Sequence, residues 1–350
     1  MLKYSTPRNL GYIRRNALLG LKGYTVTGAA ATSLARQMIK YLADPDFTIV
    51  QHALDIIEKL PLPAGFDSQW RKLLKSKHTV VRTFAARKLA ANDTAATNRL
   101  MMSLLDHDDT QVSEIAAGAL ARHKRATPLL LSALARERDA ETTWRLAKIF
   151  KPHSESVDKK TLKKFVSLAE RELEAGKARY EALLYFLRNI DPKAADTVWR
   201  DVGLRFKKRK KWGKAVECLR QLARAESFDN ELRYELSVCN LKQSAKDLAA
   251  NLRAEDPALR GFQALLPDKG FKLFDRLKKE KSLEAGDVYY VAFHFSEGTG
   301  EEAKFGRKLL EHVAKRWPRS KEGKAAKNKL KLAVQPAPVT PTPVAERSKD

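Results

Sequence analysis

The residues of this chain best equipped for chemistry are seven histidines, two cysteines and a knot of aspartates. The histidines are His52, His78, His107, His123, His153, His294 and His312. A metal site or a proton relay needs two or more such groups on one face, at His-x-x-x-His or Glu-x-x-His spacing, and none of the seven has a suitable partner. Asp106, Asp108 and Asp109 sit in a polar turn ahead of an apolar periodic run, where acids cap helices. No nucleophile elbow, no phosphate-cradling glycine loop and no kinase set is present, and Glu297–Gly300 reads as a flexible turn. Cys218 and Cys239 are too few for a disulfide framework in 350 residues. They read as small buried hydrophobes in a reducing compartment, which points to the cytoplasm. The expectation is a protein without catalytic residues, metal or cofactor.

Charge is the stronger signal. The chain carries a formal net charge of +25, which favours nucleic acid, an anionic surface or an acidic partner. The excess is uneven. Residues 44–150 hold 16 basic and 13 acidic groups, whereas residues 151–228 hold 20 and 11. Lys207, Lys208, Arg209, Lys210 and Lys211 form one run, flanked by Phe206 and Trp212. A second belt passes through Lys315, Arg316 and Arg319. These eight are the candidate polyanion contacts. Contact with phosphates would make affinity salt-sensitive, log K falling by about 0.9 per neutralised phosphate.

The elements that position these groups are helical almost throughout. In KHTVVRTFAARKLA, Val80, Val81, Phe84, Ala85 and Leu89 fall on one stripe of a helix, and Ala85 and Ala86 let a neighbour come close. Its register recurs. Ile49-Val50, Val81-Arg82, Val112-Ser113 and Thr143-Trp144 stand 32, 31 and 31 residues apart. Each follows a polar turn: DPDFT, KSKHT, DHDDT or ERDAE. Second helices fit between them at Ser68–Leu74, Thr97–Leu105 and Thr127–Ala135. Before them, residues 1–43 contain seven basic residues and no acid. That charge pattern is shared with organelle transit peptides and, less well, with signal peptides. The preferred reading is two helices, near Leu10–Leu21 and Thr27–Leu42, capping the first repeat. No apolar run is long enough for a membrane span.

The Val-Arg, paired Ala and Leu pattern of Val81–Leu89, in a register that recurs with Val50, Ser113 and Trp144 at the Arg82 position, resembles HEAT repeats over 44–152. That resemblance implies helix pairs stacked as a superhelix, with Arg82 bonded to a turn acid as a structural strut. A different register follows, with a helix pair at Ser156–Leu173 and Ala178–Ile190. Then Trp199, Val202, Gly203, Phe206, Ala215, Leu219 and Leu222 hold the offsets of a tetratricopeptide repeat. One period on, Leu236 and Ala249 match Val202 and Ala215. Val288–Leu330, with Trp317-Pro318-Arg319-Ser320 and a long SEGTGEE loop, resembles a further such unit. Residues 153–333 therefore resemble irregular tetratricopeptide repeats, with Leu259–Leu283 unassigned. Residues 334–350 are a Pro-rich tail expected to be disordered.

The fold class expected is thus all-α, an α-α superhelical solenoid of HEAT-like then tetratricopeptide-like helix pairs. Such folds present long surfaces to protein segments. The leading functional expectation is a non-catalytic scaffold for an acidic protein partner, with Arg82, Trp144, Arg145 and Lys148 as groove candidates. The alternative is a nucleic-acid-associated protein acting through the basic second half. A HEAT-like DNA glycosylase, which would use an Asp and Trp residues in a cleft, is a lesser possibility. Trp70, Trp144, Asp108 and Asp139 are the residues available for it, without a specific match. A bilin lyase on HEAT-like repeats rests on fold resemblance only.

Overall fold

A computed structural model describes residues 2–6, 8–62, 65–244 and 256–332. The Pro-rich tail and Ala249 lie outside the described residues. Among those described there are helices and no strands. The chain divides into two compact units. The first runs to Asp191 without residues 173–175, and the second takes those three and the chain from Pro192.

The first unit contains α1 (Gly11–Leu21), α2 (Gly28–Tyr41), α3 (Phe47–Lys59), α4 (Asp67–Leu73), α5 (Thr79–Leu89) and α6 (Ala95–Ser103). It continues with α7 (Thr110–Arg122), α8 (Thr127–Arg136), α9 (Ala140–Phe150), α10 (Lys159–Glu174) and α11 (Arg179–Ile190). Helices α3, α5, α7 and α9 pack each on the next, and α4, α6 and α8 pack on the helix that follows them. The starts follow from the turns. Asp46, Asp109 and Asp139 each accept a backbone N–H from the first turn of α3, α7 and α9. The stripe of α5 is the face expected, with Val81, Phe84, Ala85, Ala86 and Leu89 buried.

The acid-free leading residues belong to this core. Leu18, Ala31, Ala35 and Met38 are fully buried. Buried Arg14 pairs with Asp44, Arg15 with Asp46 at 2.8 Å and Lys22 with Asp55 at 2.5 Å. The acids missing from the first 43 residues are supplied by α3 and the turn before it.

Successive layers are joined by side chains that reach back about one repeat. His78 Nε2 meets Asp44 O at 3.1 Å, His123 Nε2 meets Ala90 O at 3.0 Å, and His153 Nε2 meets Leu120 O at 2.8 Å. Their sequence separations are 34, 33 and 33 residues. The last two acceptors are carbonyls at the ends of α5 and α7, which a helix cannot satisfy internally.

The unit boundary falls at Asp191 instead of near Pro152. The reason is aromatic packing: Phe186 of α11 lies 5.0 Å from Phe150 and 4.5 Å from Phe165, ring centre to ring centre. Arg179, 2% exposed, adds two bonds to Leu134 O and Ala135 O at the end of α8.

The second unit contains α12 (Pro192–Lys208), α13 (Trp212–Arg220), α14 (Asn230–Ser244), α15 (Pro257–Leu265), α16 (Leu273–Lys279), α17 (Ala285–Ser296), α18 (Gly300–Arg316) and α19 (Lys321–Leu332). α12 through α15 pack in sequence, as do α17 through α19. A Cβ on Gly203 would come within 3.0 Å of Leu219 on α13. A Cβ on Gly306 would overlap the backbone of Phe295 and Ser296, so α17 and α18 touch through a glycine. The SEGTGEE segment is shorter as a loop than its sequence suggests. Gly300 already opens α18, whose first turn takes Glu301 and Glu302, where the helix dipole favours acids.

Two stability effects are expected. His153→Ala should cost about 2 kcal/mol, from a lost interlayer bond and an uncovered carbonyl. Gly306→Ala should cost about 3 kcal/mol or more by prising α17 from α18. Urea titration followed by far-UV circular dichroism measures both.

Candidate functional site

In the first unit the groove candidates separate by what they touch. Arg82 is spent on the fold. Its Nε and Nη2 reach Asp109 Oδ2 at 2.8 and 2.5 Å, and its Nη1 donates to Ser76 O at 2.7 Å. Burial alone would raise the Asp109 carboxyl, but Arg82 and the amides of α7 hold it below the usual value. Arg145 is only partly engaged. It bonds Ser113 Oγ and stands 3.7 Å from Asp106, whose side chain is 81% exposed. Trp144 leans on Tyr185 at 5.1 Å, and the exposed Lys148 lies 5.9 Å above its ring.

Arg145 lines a hollow of about 300 Å³ beside α6, α8 and α9. Met102, Leu105, Ala133 and Leu146 supply an apolar wall, and the exposed Arg136 and Arg138 join Arg145 at its edge. Arg136 and Arg138 were not singled out by sequence reasoning, although the ERDAE turn, which holds Arg138 and follows Arg136, was. The turn was read for its caps alone, and Asp139 does cap α9. Trp70 is 4% exposed and edge-on to Phe84 at 5.7 Å, so it belongs to the core and not to a cleft.

In the second unit the two basic clusters are brought together by a third. Lys207 is the half-buried member of the run and bonds Glu235 at 2.5 Å and Glu280 at 3.0 Å. Glu280 follows the end of α16. Two residues earlier, Lys278 O accepts Arg316 Nη1 at 2.7 Å. The C-terminal ends of α12, α16 and α18 are thereby linked. Among the eight candidate polyanion contacts, Lys207 has its charge answered inside the protein. Arg209 pairs with Glu174 at 2.8 Å while staying half-exposed, and Arg316 also covers Trp317 at 4.6 Å. Lys208, Lys210, Lys211, Lys315 and Arg319 are exposed, with no ion pair among the described residues. Lys278, Lys279 and Lys281 are exposed beside them. They lie in the stretch 259–283, whose periodicity is too broken to place from sequence.

Lys207 and Glu280 each favour the other's charged form. Burial would lower the Lys207 ammonium, but the two carboxylates raise it above 10.5. Burial would likewise raise Glu280, but Ser282 and Lys207 hold it below 4.5. His312, packed against Phe274 and Trp317, is pushed down by burial and by Arg316 and Lys278. Cys218 and Cys239 are both buried free thiols, pushed up to about 12 by desolvation.

A cleft of about 610 Å³ opens beside this junction, lined by Tyr234, Phe271, Lys272, Asp275, Arg276 and Lys279 among others. The Arg276 guanidinium lies 4.6 Å above Phe271 and 5.9 Å from the centre of Tyr234, while pairing with Glu231 at 2.5 Å. The Tyr234 hydroxyl is buried with no hydrogen-bond partner among the described residues, and burial drives its ionisation well upward. Two lysines here have left-handed backbones, Lys210 at φ 57° and Lys272 at φ 51°. Lys210 closes α12 as glycine usually would, with Lys211 N–H returning to Phe206 O at 2.9 Å.

Among the described residues no helix is long and apolar enough to cross a membrane, and no group of three His, Cys, Asp or Glu is placed to hold a metal ion. Comparison of the chain with protein-family profiles and with curated proteins finds no match.

Lys207→Met should destabilise the chain by about 2 kcal/mol, leaving two half-buried carboxylates without their cation. The difference from wild type should be full between pH 4.5 and 10.5. It should shrink in acid as Glu280 protonates, and in alkali as Lys207 loses its proton. Lys210→Gly should have the opposite sign, stabilising by about 1 kcal/mol through relief of the left-handed backbone. Denaturant titrations across pH measure both.

Proposed function

We propose that the chain is a non-catalytic helical-repeat scaffold in the cytoplasm, built of HEAT-like then tetratricopeptide-like pairs in a solenoid, which binds an acidic protein partner. The observation that carries this reading is the hollow edged by Arg136, Arg138 and Arg145 over an apolar wall. An acidic side chain meets guanidinium at the rim, and a neighbouring apolar side chain fills the floor. Support for the repeat assignment is the succession of α3, α5, α7 and α9 at near-constant period, and the close approach of α12 and α13 at Gly203. Trp144 and Lys148 extend the same helix, α9, beyond the hollow. Arg82 is left out of the binding set because its guanidinium already serves Asp109.

A peptide of alternating Glu and Leu is a suitable probe. Calorimetric titration should give saturable binding to the full chain, at least tenfold weakened by R136E/R138E. Equal binding by the charge-reversed chain with its helicity intact would sink the reading. Affinity capture with the same pair of proteins then identifies the partner as the protein lost on reversal.

A further inference from the structure

The second unit gathers features that neither the fold nor an acidic protein partner accounts for. Three helix C-termini, those of α12, α16 and α18, are linked through Lys207–Glu280 and Arg316–Lys278 O. A helix dipole favours one or two cations at each such end. Here the exposed cations continue past the ends, through Lys210, Lys211, Lys281 and Arg319. Lys210 and Lys272 further hold backbones suited to glycine, so lysine stands at both places against local preference. Beside them lies the cleft of about 610 Å³, within the range of small-ligand sites. Its wall combines an arginine plane with two aromatic rings, and it holds a buried hydroxyl without a partner.

We propose that this cleft and the lysines around it bind single-stranded nucleic acid. An unpaired base stacks on the Arg276–Phe271 wall, and the phosphates run over Lys272, Lys279, Lys208, Lys210 and Lys211. Bases of any identity stack on aromatic and guanidinium planes, and a basic groove tracks the backbone. The stacking wall decides between this ligand and an acidic peptide, because a base gains from the aromatic and guanidinium planes and a carboxylate side chain does not. Asp275 in the lining can accept from the amino groups of a base. A duplex keeps its bases stacked internally and cannot offer one to the cleft. The site lies wholly in the second unit and does not rest on the reading of the Arg136–Arg145 hollow.

Fluorescence anisotropy of the full chain with a labelled 20-nucleotide oligouridine, at several salt concentrations, tests this. Competitors are a duplex of equal length and polyglutamate. Binding should be at least tenfold tighter to the single strand than to either competitor, and log K should fall linearly with log salt. K208S/K210G/K211S should weaken binding at least tenfold and flatten the salt slope by about 2, at about 0.7 per phosphate of a single strand. Since Lys210→Gly relieves a left-handed backbone, this variant should keep its melting temperature, so weakened binding cannot be laid to misfolding. F271L/R276Q should erase the preference for the single strand while leaving the salt slope in place. No binding at low salt, equal binding of duplex or polyglutamate, or unchanged affinity in the lysine variant would overturn the proposal.

Discussion

The ends of a helix carry carbonyls and amides that the helix cannot satisfy, and the first unit is organised around supplying them, from its own cap at the start of a helix and from the next layer near the end. Asp46, Asp109 and Asp139 take up amides at the starts. His123 and His153 take up carbonyls near the ends, each from one repeat away. Arg82 then ties the acid that caps α7 to the turn that opens α5. Each bond is modest, about 1 kcal/mol, but each also removes the larger cost of a buried group without a partner. The apolar stripes bring layers together, and these bonds fix which turn faces which.

The second unit meets the same demand with charge. Lys207 stands between two carboxylates from α14 and the end of α16, and that triad holds α12 against both. Without the triad the ends of α12 and α16 would lose this tie. A residue that looks like part of a basic run therefore joins its helix to two others.

Much of this was legible in the sequence, because periodicity reports on burial. Val81, Phe84 and Leu89 name the face of α5, and DHDDT names the cap of α7. Gly203 marks a helix contact for the same reason, as spacing records close approach. The histidine bonds were not legible. A single imidazole 33 residues from its acceptor leaves no local pattern, and pairs of histidines were the only signal sought. The junction of basic clusters was hidden for a related reason. Lys278 and Lys279 sit on a short helix, with Glu280 just past its end, and only Leu273 and Leu277 are buried on it, too little for a stripe. The register changes past Pro152, but the compact unit runs on to Asp191, and the contact of Phe186 with Phe150 that carries it across leaves no local pattern.

The reach of the histidine bonds bears on how the first unit would come apart under load. Each spans 33 or 34 residues and no more, so a layer is tied to its immediate predecessor alone. A pull on the end of such a stack releases one layer while the next is still closed. Freed as extended chain, about 32 residues reach roughly 110 Å at about 3.5 Å each. The unit would thus lengthen in steps of nearly equal size, the extension of a ratchet more than that of a single spring, and surfaces on layers not yet released would keep their geometry throughout.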